Sequence, residues 1–119
     1  MRSGSSSIVR HDAVPRERVL AAARTWAAEL RRRCPEIRRI GYFGSYARGD
    51  YVPGSDLDVV IEISDSLAQP IADRAEPYLP DVFPIGMEIL VYTSDELRRL
   101  RKSGSAFIAG IDQNWQELS

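Results

Sequence analysis

Between residues 44 and 58 the chain reads GSYARGDYVPGSDLD, and three apolar residues follow directly. The apolar run predicts a buried strand that begins beside Asp56 and Asp58. Side chains two positions apart in a strand share one face, so these two carboxylates are directed to the same place. Neighbouring negative charges repel each other, and a divalent cation relieves that repulsion. The stretch therefore predicts a cation site at the start of a strand.

The Gly-Ser pair that opens the stretch predicts a binding place for phosphate. Gly44 has no Cβ, so a phosphate can approach its backbone closely, and Ser45 adds a hydroxyl donor. A short helical turn is expected from Ser45 to Arg48, where Gly49 stops it, and its first backbone amides have no helical partner. A cation site next to a phosphate site indicates chemistry on a nucleotide.

Glu88 is a third carboxylate, and it interrupts the otherwise apolar strand predicted over residues 87–92. An unpaired glutamate is costly to bury. Glu88 therefore either faces solvent on an edge strand or joins the two aspartates in a shared metal site. The second interpretation is preferred because the aspartates open a neighbouring strand. Three carboxylates can hold two Mg²⁺ ions, which is a common arrangement in phosphoryl transfer.

The order of elements predicts a small mixed sheet flanked by helices, an α/β or α+β fold. Asp12 is the expected N-cap of a first helix whose apolar stripe ends before Pro35. Strands are expected over residues 37–43, 57–63 and 87–92, with a short or broken helix over 66–75. A Thr93–Glu96 capping box predicts a helix through Leu100. A short helix over 107–111 and an extended piece over 115–118 complete the prediction.

Length and composition indicate one domain of ordinary globular character. The 119 residues predict a Ser/Gly-rich flexible tail over 1–11 and a single domain over 12–119. The net charge of −1 argues against direct nucleic-acid binding. The single cysteine, Cys34, excludes an intrachain disulfide and a zinc site built from several cysteines. Without an apolar run of membrane-spanning length, the expected location is the cytoplasm.

The spacing Gly44-Ser45-x10-Asp56-x-Asp58 resembles the signature of the minimal nucleotidyltransferases of the DNA polymerase beta superfamily. The resemblance implies the nucleotidyltransferase fold, two Mg²⁺ ions, and transfer of a nucleotidyl group from a nucleoside triphosphate to an acceptor hydroxyl. It also implies that Gly44 and Ser45 hold the β- and γ-phosphates and that the two aspartates are catalytic metal ligands. ATP is the default nucleotide on this resemblance alone.

Two further residues receive roles from the same resemblance. Arg48 is assigned to the nucleotide. Glu88 takes the place of the third catalytic, metal-binding carboxylate, which in the family is more often aspartate.

Stand-alone domains of this size also resemble the antitoxin half of toxin–antitoxin pairs whose toxin is a HEPN-domain ribonuclease. That resemblance implies a protein partner and a toxin tyrosine as the nucleotidyl acceptor. Tyr51, Phe107 and Trp115 lie in segments where a small sheet can leave apolar surface uncovered, so they are candidate contact residues. Two alternatives stay open, namely an antitoxin that acts by binding alone and a nucleotidyltransferase that modifies a small molecule.

A phosphatase of the haloacid-dehalogenase type is the remaining alternative, because residues 56–60 read DLDVV and fit its Asp-x-Asp-x-[Thr/Val] motif. In that family the apolar strand precedes the first aspartate. Here the residues before Asp56 are turn-like and the apolar run follows, so the order of elements disfavours this alternative.

Overall fold

The computed structural model of the chain describes residues 14–65 and 74–119. The predicted tail over 1–11, the Asp12 cap and most of the helix predicted over 66–75 lie outside these residues. The helices and strands are α1 (Arg16–Arg33), β1 (Ile37–Phe43), α2 (Ser45–Arg48), β2 (Leu57–Ile63), β3 (Met87–Thr93), α3 (Ser94–Lys102), α4 (Ala106–Asn114) and β4 (Gln116–Glu117), with a 3₁₀ turn at Glu76–Tyr78.

Helix α1 supplies one side of the main core. It begins directly after Pro15 and ends at Arg33, and the N–H of the following Cys34 donates to the carbonyl of Leu30. The predicted apolar stripe is confirmed, and the buried residues of this helix are Val19, Leu20, Ala23, Trp26, Ala27 and Leu30. The indole N–H of Trp26 donates to the carbonyl of Tyr78 at 3.0 Å, which ties α1 to the 3₁₀ turn.

The four strands form one mixed sheet in the order β3-β2-β1-β4. β1 pairs antiparallel with β2 and with β4, whereas β2 and β3 run parallel. β2 is therefore a central strand, which explains its nearly continuous apolar sequence. The predicted fold class, a small mixed sheet flanked by helices, is confirmed.

The two faces of the sheet are covered by different helices. Residues of one face, including Ile40, Val59 and Ile61, pack in the main core with α1. On the other face Val60 forms a smaller cluster with residues of α3 and α4, and its buried members are Val60, Leu97, Ile108 and Ile111. Because side chains alternate along a strand, β2 contributes residues to both cores. The candidate site residues lie at one end of the face covered by α3 and α4.

The capping box at the start of α3 is confirmed. The Thr93 hydroxyl accepts from the backbone N–H of Glu96 at 3.1 Å, and the Glu96 carboxylate accepts from the N–H of Thr93 at 2.9 Å. Glu96 also accepts two hydrogen bonds from the guanidinium of buried Arg74, at 2.6 and 3.0 Å. The bridge fixes the start of α3 to the segment before the 3₁₀ turn. α3 extends to Lys102, slightly beyond the predicted end at Leu100.

The three aromatic side chains that the sequence marked for partner contact have different environments. Trp115 is half-buried against Gly41, and its ring lies 4.3 Å from the guanidinium carbon of Arg39. Tyr51 stacks on Tyr46 with ring centroids 4.4 Å apart. Phe107 is 51% exposed. Trp115 and Tyr51 therefore have structural contacts, and Phe107 alone of the three is largely in solvent.

Among the described residues, no helix combines the length and the apolar character needed to cross a membrane.

Candidate functional site

Asp58 and Glu88 lie side by side in the sheet. Asp58 is paired with Glu88 in the parallel register of β2 and β3, and with Phe43 in the antiparallel register of β1 and β2. Residues paired in this way project to the same face. The structure thus brings the second aspartate and the predicted third carboxylate together. Asp58 is half-buried and Glu88 is exposed on β3, an outer strand of the described sheet.

The electrostatic surroundings of Asp58 raise its pKa above the ordinary value of a carboxyl. Burial is the largest cause, followed by the negative charges of Glu88 and Asp56, while Arg48 opposes the shift. Both mechanisms disfavour the charged form of Asp58. The negative charges of Glu88 and Asp56 therefore act on Asp58, and a cation bound beside Asp58 would offset that repulsion.

Gly44 brings the predicted phosphate turn against Asp58. Its φ of 75° is one that residues with side chains rarely adopt, and a Cβ there would collide with Asp58 Oδ2. From the sequence, the missing Cβ of Gly44 was expected to make room for phosphate. In the structure the same missing atom makes room for a carboxylate, so the turn and the acidic residues form one site.

The short helix α2 follows this turn as predicted. The carbonyl of Gly44 accepts from the N–H groups of Ala47 and Arg48, and Gly49 ends the helix in the left-handed conformation with φ of 91°. Arg48 is exposed and its guanidinium donates to Asp50 at 3.1 Å. Its side chain is therefore held at the surface beside the turn.

Gly86 is a site residue that the sequence reasoning missed. Its carbonyl accepts from the N–H of Leu57 at 2.9 Å, and a Cβ at this position would collide with Asp56 Oδ1. Gly86 thus gives Asp56 room at the start of β2. A glycine directly before the Met87 strand was the available signal, because an isolated glycine beside a strand often marks a close approach.

A groove of about 410 Å³ opens beside the turn and Asp58. Its lining residues are Phe43, Gly44, Ser45, Arg48, Asp58, Ala106, Phe107, Gly110, Ile111 and Asn114. Helix α4 supplies five of these residues and so forms one wall of the groove. The sequence reasoning predicted this helix but assigned it no place in the site.

The predicted magnesium ligands are the carboxylates of Asp56, Asp58 and Glu88. Within residues 14–65 and 74–119, no three His, Cys, Asp or Glu side chains form a ready metal-binding cluster. Hard carboxylate oxygens are nevertheless the ligands that Mg²⁺ takes, and it keeps several waters when only one or two carboxylates bind it. The like charges around Asp58 therefore fit a magnesium site that is completed by water or substrate.

Comparison with protein families gives one match, to the model described as "Nucleotidyltransferase domain", over residues 24–112. The chain belongs to the nucleotidyltransferase domain family. The matched range includes the turn at Gly44, all three carboxylates, and most of α4. No curated protein matches the sequence of this nucleotidyltransferase.

Solved structures share the fold of this nucleotidyltransferase. A candidate nucleotidyltransferase from Sulfolobus solfataricus is 24% identical with a TM-score of 0.58, and the match covers 71% of this chain and 75% of that one. A chain from the structure of a toxin–antitoxin with AMP-PNP is 19% identical with a TM-score of 0.49, over 81% of this chain and 72% of that one. The first likeness shows the fold, and the second is too low to support a conclusion.

Proposed function

We propose that this protein is a Mg²⁺-dependent nucleotidyltransferase that moves a nucleotidyl group, AMP from ATP in the first instance, to an acceptor hydroxyl. The observation that carries the proposal is the contact between Gly44 and Asp58. The contact lies between the turn that is proposed to bind phosphate and one of the carboxylates that are proposed to bind the metal. Family membership over residues 24–112 supports the transfer reaction in general.

Each site residue has a role in this proposal. The Gly44–Ser45 turn binds the β- and γ-phosphates, with the Ser45 hydroxyl as a donor. Arg48 pairs with exposed Asp50, so it can exchange that partner for a phosphate at little cost. Asp56, Asp58 and Glu88 are the residues that would hold Mg²⁺, which when bound neutralises charge on the phosphates.

The proposed transfer needs no reactant beyond the nucleoside triphosphate and the acceptor hydroxyl. The acceptor oxygen forms a bond to the α-phosphorus, the bond from that phosphorus to the bridging oxygen breaks, and pyrophosphate leaves. The proton of the acceptor hydroxyl needs a base. Glu88 is exposed beside Asp58 and is the proposed acceptor of that proton.

The test of this function replaces both aspartates with asparagine, which removes charge with little change in volume. Transfer from labelled ATP with Mg²⁺, followed by mass spectrometry of the acceptor, should fall by orders of magnitude in Asp56→Asn/Asp58→Asn. Asp81→Asn is the matched control, because Asp81 is exposed and does not line the groove. Near-full transfer in the double variant would show that the site is wrong.

We also propose that the acceptor is a tyrosine of a HEPN-type toxin and that the protein acts as its antitoxin in the cytoplasm. The resemblance to stand-alone antitoxin domains supports a protein partner, and the candidate contacts for it are the large exposed apolar side chains among the described residues, Val52, Leu79, Val82 and Phe107. Co-expression with the neighbouring gene product, followed by size exclusion and intact mass, tests this.

The outcomes of that experiment separate the alternatives. A complex with a mass increment of one nucleotide on the partner supports catalytic neutralisation. A complex without the increment indicates an antitoxin that acts by binding alone. Finding neither would contradict the antitoxin role and leave transfer to a small molecule as the function to test.

A further inference from the structure

Helix α4 has one face buried in the smaller core and another on the groove. Ile108 and Ile111 are buried, and Ile111 also reaches the groove, which the less buried Phe107, Gly110 and Asn114 line together with Gly44 and Asp58. These three positions recur at three- and four-residue spacing and therefore share one side of the helix. The groove volume of about 410 Å³ is in the range of small-molecule sites.

Resting on the proposed function, we propose that this face of α4 holds the nucleobase of the triphosphate and selects bases that carry an exocyclic amino group. One continuous groove joins the phosphate turn to α4. Gly44, Ser45 and Phe107 line the same groove, so in this proposal a nucleotide bound at the turn through its phosphates places its base against Phe107.

Phe107 provides the stacking surface for the base. Its ring contacts Phe43 edge to face, with centroids 6.4 Å apart and an interplanar angle of 88°. This contact fixes the ring while 51% of the residue stays exposed. Every base has a π-face, and stacking on an aromatic side chain is a general way for proteins to hold bases.

Gly110 leaves open space beside the stacking surface, and Asn114 supplies a polar group next to it. A Cβ at Gly110 would meet no atom within 4 Å, so the groove is open beside the helix backbone. The Asn114 amide nitrogen donates to the Gly110 carbonyl at 3.1 Å, which fixes the amide. Its Oδ1 accepts no hydrogen bond from the described residues and is available to an amino group, which adenine presents and uracil does not.

The experiment compares ATP with inorganic tripolyphosphate, which has the phosphates and no base. Calorimetric titration with Mg²⁺ should show that Phe107→Ala weakens ATP binding by about 5- to 150-fold. Tripolyphosphate binding should be unchanged, and Phe107→Trp should retain ATP binding. Val82→Ala is the control, since Val82 is 88% exposed and lies outside the groove.

Gly110→Leu should affect thermal stability and ATP binding in different ways. Gly110→Leu improves helix propensity and meets no neighbour at its Cβ, so thermal stability should hold or rise. The added side chain occupies the base end of the groove, and ATP binding should fall while tripolyphosphate binding does not. Asn114→Leu should reduce the preference for ATP over UTP, because Oδ1 is removed.

The results distinguish this inference from the function on which it rests. Wild-type protein that binds ATP, with Phe107→Ala weakening ATP and tripolyphosphate equally or neither of them, would overturn the base site alone. Wild-type protein that binds neither compound would overturn the proposed function, and the base site with it.

Discussion

The carboxylate of Asp58 occupies the space that a side chain at Gly44 would need. The contact joins the end of β1 to the start of β2 at the point where the chain turns into α2. The Gly-Ser pair and the Asp-x-Asp pair, eleven positions apart from Ser45 to Asp56, are therefore one structural unit. The effect of a substitution at Gly44 on stability should therefore depend on the residue at position 58.

Gly44→Ala should destabilise the protein by about 2–4 kcal/mol, because it combines a strained backbone with a collision. Gly49→Ala is the matched control, since Gly49 also has a positive φ but its Cβ would meet nothing within 4 Å. Its cost should be about 1 kcal/mol. Urea unfolding measures both. Adding Asp58→Ala should recover part of the Gly44→Ala loss, and strictly additive losses would contradict the contact.

Gly86→Ala should lower transfer activity while it leaves the stability of the protein nearly unchanged. Its backbone φ is not positive, and the atom that a Cβ would meet belongs to the flexible, exposed carboxylate of Asp56. The carboxylate can move aside, so the unfolding free energy should change by less than about 1 kcal/mol. Misplacing a reacting group by about 1 Å can cost up to about 100-fold in rate. Transfer activity that equals wild type would remove Gly86 from the site.

Asp58→Asn should stabilise the metal-free protein by about 0.5–1 kcal/mol while transfer is lost. The reason is that burial and the charges of Glu88 and Asp56 disfavour the ionised Asp58 carboxyl. Chemical unfolding with a chelator present measures the change. Asp112→Asn is the control with the opposite sign, because the Asp112 carboxylate accepts two hydrogen bonds from Arg101, at 2.8 and 2.9 Å.

Glu96 should make the stability of the fold sensitive to acid. Hydrogen bonds from Arg74 lower the pKa of Glu96 below its ordinary value of 4.5, and those within the capping box act in the same direction. The ionised carboxylate therefore stabilises the folded state above pH 4.5, and this contribution disappears as the pH falls through the lowered pKa.

Glu96→Gln should cost about 1–3 kcal/mol at neutral pH and much less in acid. Urea unfolding across the acid range, with wild type and variant in parallel, measures the difference. A difference that is constant with pH would contradict the role of the Glu96 charge.

The sequence predicted the strands well because their apolar runs and turn signals are local. β1 and β2 have the predicted bounds, and the capping box fixed the start of α3. For Glu88 both sequence-based interpretations have support, because it is exposed on the outer strand β3 of the described sheet and also lies beside Asp58. The register that pairs Glu88 with Asp58 is a long-range property, and only the folded sheet displays it.

Other parts of the site have no local signal. The collision that Gly86 avoids involves Asp56, thirty positions earlier in the chain. The short α4 was predicted, but its groove face depends on how the helix packs on β1 and β2. Trp115 illustrates the reverse case, because its segment was expected to leave apolar surface uncovered by the small sheet, whereas Gly41 and Arg39 give it an intramolecular environment.

The division of α4 into a buried and a groove face gives the protein a simple route to altered substrate choice. Ile108 and Ile111 anchor the helix, and they contribute to the fold whatever occupies the groove positions. Phe107 is exposed and Gly110 and Asn114 are half-buried, so variation at these three positions should cost less stability than variation at Ile108 or Ile111. A combinatorial library over these three codons, screened against different nucleoside triphosphates, would sample new specificities from a single stable scaffold.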